Sequence, residues 1–74
     1  MYYRHIRELR EDKDLLQRDV AAYLNCTQNC YSHYETGSRD IPTDILIKLA
    51  KFHNTSVDYL LGLTNDPNPY PRAK

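Results

Sequence analysis

The 74 residues predict an all-α fold: a compact five-helix domain in which helices two and three form a helix-turn-helix. Three observations carry this expectation. Apolar residues recur at three- and four-residue spacings, as on one face of a helix. Two helix-forming stretches are separated only by Asn25-Cys26-Thr27. Residues suited to helix ends, Asp14, Asn25, Gly37 and Gly62, close successive patterns. A chain this short holds one domain, and a small core favours a helix-rich fold of local contacts. No segment reads as a strand, and no repeat is present.

The first helix is expected over 3–13, where Ile6 and Leu9 lie among the helix formers Arg, Glu and Leu, with Asp12-Lys13-Asp14 as its frayed end. The second is expected over 17–24, with Val20, Ala21 and Leu24 on one arc and Arg18, Asp19 and Ala22 on the other. Asn25 stops it in a left-handed conformation. Thr27 caps a third helix over 28–36, and Gly37 follows its end. Helix four follows Pro42 and Thr43 and directs Ile45, Leu46, Leu49, Ala50 and Phe52 inward; helix five spans 56–61. Domain boundaries follow: 1–63 folds as the helix-turn-helix domain, and the Pro-rich stretch 64–74 is an extended or mobile C-terminal tail.

Small Ala21 lets helix three approach helix two, and Val20, Leu24, Cys26, Tyr31 and Tyr34 supply the apolar contacts of that crossing. At about 100° per residue from Gln28, Ser32, Asn29 and His33 fall at about 40°, 100° and 140°. Cys30, Tyr34 and Tyr31 fall on the opposite arc, at about 200°, 240° and 300°. One arc of QNCYSHYET is thus polar, uncharged and amide-rich. Gln and Asn suit the major-groove edge of adenine, and base contacts specify while phosphate contacts position. A reading face therefore needs no charge, although the chain has a formal net charge of zero. The same face also suits a solvated helix.

IRELRE, Gln17 with Ala21, YETG, LIKLAKF and SVDYLLG together resemble the phage-repressor and Cro-like helix-turn-helix family, the XRE-type transcriptional regulators, over about residues 4–62. The resemblance implies a five-helix lambda-repressor-like domain whose third helix enters the major groove, as a homodimer on a two-fold-symmetric double-stranded DNA operator. It implies base reading by Gln28, Asn29, Ser32 and His33, and phosphate contacts from Gln17, Thr27, Arg39 and Arg18. It implies a structural salt bridge between Arg10 and Glu35. Three positions depart from the pattern: Leu16 replaces a polar N-cap, Asn25 replaces the common turn glycine, and Asp40 sits beside Arg39. Neutral charge, Leu16 and Asp40 keep an alternative open, a protein-interaction module on the same fold that partners a toxin or phage protein.

Other functions find no support in the sequence. Cys26 and Cys30 lack further ligands at zinc-finger spacing, His5, His33 and His53 form no constellation, and Cys30 is expected to face inward. No metal, cofactor or small-molecule ligand is expected. No phosphate loop, nucleophile elbow or metal-ligand pair is present, so no enzyme is expected. Apolar runs are far shorter than a membrane span, and MYYRHIRELRED has no apolar signal region. With two cysteines and no disulfide framework, a cytoplasmic location is expected. Tyr59, Leu63 and Tyr70 are candidates for a dimer interface.

Overall fold

A computed structural model describes residues 1–71; the last three residues of the expected tail lie outside the described residues. Five helices follow one another: α1 (Arg4–Asp12), α2 (Gln17–Leu24), α3 (Gln28–Thr36), α4 (Thr43–Phe52) and α5 (Val57–Leu61). They fill a body of 32 × 24 × 24 Å, and no strand occurs among the described residues. None of the helices is long and apolar enough to cross a membrane.

The periodic apolar positions build the core. Ile6, Val20, Ala21, Leu24, Tyr31, Leu49, Ala50 and Leu60 are buried, each helix contributing at least one. Leu9, Leu15, Cys26, Ile45, Phe52 and Val57 pack around them, partly exposed. Burying Ile6, Leu49 or Leu60 contributes about 1.5–3 kcal/mol per side chain. Tyr31 is the largest fully buried side chain and brings its hydroxyl into the core without a hydrogen-bond partner. Burial pushes that phenol far above its ordinary range, so it stays protonated.

Helix ends follow the local chemistry. Asn25 (φ 58°) and Gly37 (φ 84°) adopt the left-handed conformation that ends α2 and α3. The Thr27 hydroxyl accepts from the Cys30 amide at 3.0 Å, and that of Ser56 accepts from the Tyr59 amide at 3.0 Å, capping α3 and α5. Leu16 has no acceptor in its side chain, so capping at α2 is one-sided: its amide donates to Asp19 at 2.9 Å. Asp14 (φ 55°) turns the chain between α1 and α2. Gly37 serves packing as well, because a Cβ there would lie 2.9 Å from the backbone of Met1 and Tyr2.

Residues 64–71 contain no helix, yet they fold back on α5. The Thr55 hydroxyl donates to the Pro67 carbonyl at 2.6 Å, and the Tyr70 hydroxyl donates to Asp58 at 2.6 Å. Each pair spans twelve positions, so the loop it closes is short and costs little chain entropy.

His53 ends α4 and is only 5% exposed. Its Nδ1 lies 3.0 Å from the Lys13 ammonium, while Nε2 is buried without a hydrogen-bond partner. Burial, reinforced by the Lys13 charge, pushes its pKa down to about 4. The unfolded chain takes up the proton near 6.5, so it binds more protons than the folded chain between these values. Stability is therefore expected to fall as pH drops from about 6.5 towards 4, by roughly 2–3 kcal/mol in total. Urea midpoints at stepped pH check this, and His53→Leu is expected to flatten the profile above pH ~5, where carboxylates contribute little.

Candidate nucleic-acid interface

The packing of α3 decides which of its side chains remain available. Tyr31, Tyr34 and Glu35 are buried, which fixes the rotation of the helix about its axis. Gln28 and Asn29 are then exposed on its first turn, while Ser32 and His33, one turn on, are half-buried. These four residues share the outer arc, and their side chains carry amide, hydroxyl and imidazole groups that donate and accept hydrogen bonds. Gln28 and Asn29 open the helix, where backbone N–H groups and the helix dipole favour an anion.

A network behind this face holds it. Arg10 donates from Nε and Nη2 to the two carboxylate oxygens of Glu35, both at 2.8 Å. Its Nη1 donates to the Leu15 carbonyl at 2.8 Å, so one guanidinium ties α1, the α1–α2 turn and α3 together. Glu35 is 3% exposed. Burial alone would raise its carboxyl, but the hydrogen bonds led by Arg10 hold it below the usual carboxylate range.

Gln17 joins this network. Its Nε2 donates to Glu35 Oε1 at 3.3 Å, so the side chain at the start of α2 is turned towards α3. Its amide oxygen accepts no hydrogen bond among the described residues. The sequence gives no sign of this, because the partner lies eighteen positions later.

The flanking cations differ in surroundings. Arg18 is exposed and makes no ion pair among the described residues. Arg39 is exposed beyond the end of α3, with its amide bonded to the His33 carbonyl at 3.2 Å and its Nη1 3.6 Å from Cys30 Sγ. Asp40, its acidic neighbour, points to the N-terminal amine of Met1 at 3.7 Å. The hydroxyl of Thr27 accepts as the α3 cap, leaving its hydrogen free to donate outwards. Thr27, Gln28, Asn29 and Arg39 thus line the ends of one helix, and Arg18 lies on the next helix over.

Cys30 is half-exposed rather than inward-facing, because Tyr31 and Tyr34 already fill the buried arc. No group of three or more His, Cys, Asp or Glu side chains suited to a metal occurs among the described residues.

The three dimer candidates lie in or after α5 rather than on α3. Leu63 is 74% exposed. Tyr59 is half-buried and stacked on His5, with ring centroids 4.2 Å apart. Tyr70 is exposed, and its hydroxyl is engaged by Asp58.

Comparison with known proteins places this geometry in a family. A family model described as helix-turn-helix matches residues 6–60. YobD of Bacillus subtilis (strain 168), an uncharacterised HTH-type transcriptional regulator, is 39% identical over 74 residues, covering 100% of this chain and 66% of its own. The HTH-type transcriptional regulator ImmR of the same organism is 41% identical over 59 residues, covering 80% of this chain and 46% of its own. The cryptic phage CTXphi transcriptional repressor RstR of Vibrio cholerae is 34% identical over 62 residues, covering 84% and 56%. The chain thus spans about half to two thirds of the length of these curated relatives. No solved structure matches. With five helices in this order and a family match running from the first turn of α1 into α5, the chain belongs to the helix-turn-helix family of transcriptional regulators.

Proposed function

We propose that this chain binds double-stranded DNA sequence-specifically and regulates transcription, reading the major groove with α3. The observation that carries the reading is the exposed, uncharged Gln28–Asn29 pair at the start of a helix whose other face is locked by Tyr31, Tyr34 and Glu35. Gln28 and Asn29 contact base edges, with Ser32 and His33 alongside. Thr27, Arg18, Arg39 and the free amide oxygen side of Gln17 flank the duplex; of these, Thr27 and the arginines donate to phosphates, and Gln17 does so if its Nε2 turns away from Glu35. The relatives named as regulators, one of them a phage transcriptional repressor, support repression as the mode of action. They do not favour the interaction-module alternative.

A homodimer on a two-fold-symmetric operator follows from the same reading, and Leu63 is its most exposed apolar candidate. The location that serves this function is the cytoplasm, and the chemistry is binding without catalysis. Residues 1–63 form the binding unit, and 64–74 a segment that returns over α5 through residue 70.

Few cations face the proposed DNA side, so affinity should fall only gently with salt. Arg39→Ala is expected to weaken binding similarly on all sequences and to reduce the salt slope by about one. Fluorescence anisotropy over ~50–200 mM salt reads both quantities. A sequence-dependent loss with an unchanged slope would remove Arg39 from the phosphate contacts.

A further inference from the structure

Cys26 and Cys30 bracket the Thr27 cap, and both are free, half-exposed thiols. Their surroundings differ. Cys30 is the third residue of α3, in the turn where the helix dipole favours negative charge. The Arg39 guanidinium stands 3.6 Å from its sulfur. A helix N-terminus, an adjacent cation and partial exposure are the conditions that make a thiol reactive. Consistent with this, the Tyr34 hydroxyl, and then the Arg39 guanidinium, hold the Cys30 thiol below the ordinary range against the effect of burial. Burial instead pushes the Cys26 thiol up, and Cys26 immediately precedes Thr27, whose hydroxyl accepts from the Cys30 amide at 3.0 Å. Of the two sulfurs, that of Cys30, beside Arg39 in the first turn of α3, is the better placed nucleophile.

We propose that Cys30 is a peroxide-reactive thiol and Cys26 its resolving thiol, so that a reversible disulfide forms across the N-cap of α3. In the first step the Cys30 sulfur attacks one oxygen of hydrogen peroxide. An S–O bond forms, the O–O bond breaks, and the departing hydroxide takes up a proton as water. Cys30 is oxidised by two electrons to the sulfenic acid, and the peroxide is reduced. In the second step Cys26 gives up its proton and attacks the Cys30 sulfur. The S–S bond forms, the S–O bond breaks, and the leaving hydroxide takes that proton as a second water. The ring so closed is small, so little chain entropy holds the disulfide and thiol reductants reverse it. The bond would tether the turn between α2 and α3 to the first turn of α3 and consume the free sulfur that faces Arg39.

The full chain is treated with hydrogen peroxide at pH 7, with and without the sulfenic-acid trap dimedone, and followed by intact mass and peptide mapping. The wild type is expected to lose two hydrogens through a Cys26–Cys30 link and regain them with dithiothreitol. Cys26→Ser is expected to stop at a dimedone adduct on Cys30, and Cys30→Ser to leave Cys26 unmodified. Cys30 is expected to react at least ~10-fold faster than glutathione. Wild-type accumulation of sulfinic acid without the link, a dimedone adduct on Cys26, or a rate no faster than glutathione would each overturn the proposal. Because the readout is thiol chemistry alone, it stands or fails independently of DNA binding.

Discussion

Arg10→Ala is expected to lower the melting temperature by roughly 12–24 °C, the largest stability loss at any single position described above. The substitution leaves the Glu35 carboxylate, 3% exposed, without its two strongest donors. Stranding one member of a buried pair costs about 3 kcal/mol or more, and a domain of this size loses about 4–8 °C per kcal/mol. The loss comes chiefly from the isolated charge, so removing both partners with Arg10→Met and Glu35→Leu should recover much of it. A pH test follows from the same geometry. The depressed Glu35 carboxyl contributes stability above its unfolded value of 4.5, and that contribution is lost as pH falls through the lower folded value. The gap between wild type and Arg10→Ala should therefore narrow as pH falls below 4.5 and through the depressed folded value. A melting temperature unaffected by Arg10→Ala would mean that Gln17 and water satisfy Glu35 without the guanidinium.

Replacing Gln28 and Asn29 together by Ala is expected to lower the ratio of specific to nonspecific DNA affinity by about 100-fold or more. Each bidentate contact to a base is worth about 1–3 kcal/mol of discrimination. Both side chains are exposed and make no hydrogen bond within the domain among the described residues, so thermal stability should change by no more than ~0.5 kcal/mol. That separation is the point of the pair: binding loss with an intact fold assigns the residues to recognition. Anisotropy titrations on a preferred and a scrambled duplex, beside a thermal melt, give both numbers. An unchanged specificity ratio would move base reading to Ser32, His33 or another element.

Most of the scaffold was legible because it is encoded by neighbours. Thr27 and Gly37 delimit α3, Asn25 ends α2, and Ser56 and Gly62 delimit α5 through chemistry that acts within four residues. The helical spacing of Val20, Ala21 and Leu24 likewise marks the buried face of α2. The helix expected over 3–13 is one residue shorter at each end, where Lys13 departs from helical geometry and Tyr3 is extended. What remained hidden depends on partners distant in sequence. His53 gives no sign of burial in a sequence that places it beside Asn54; its burial and its approach to Lys13, forty positions earlier, both arise from tertiary packing. Cys30 was expected to face inward, and its contact with Arg39 requires the chain to reverse at Gly37. The amide of Gln17 and the return of the segment 64–71 over α5 also depend on tertiary placement.

The proposed interface reflects a similar division. A helical wheel separates the polar and apolar arcs of α3, because the buried pair Tyr31 and Tyr34 is periodic. The wheel cannot distinguish a reading face from a solvated one. The proposed reading of DNA by this face draws instead on the fixed α2–α3 crossing, the Glu35 anchor and the flanking Thr27 and Arg39, all of which are three-dimensional.

Selection of binding sites from a random double-stranded DNA pool, at ~50 mM and again at ~200 mM salt, tests the central proposal most directly. Enrichment of a two-fold-symmetric motif that survives the higher salt is the expected result, with half-sites about one helical turn, or a multiple of it, apart. Failure to enrich any motif at either salt would contradict sequence-specific DNA binding by this chain.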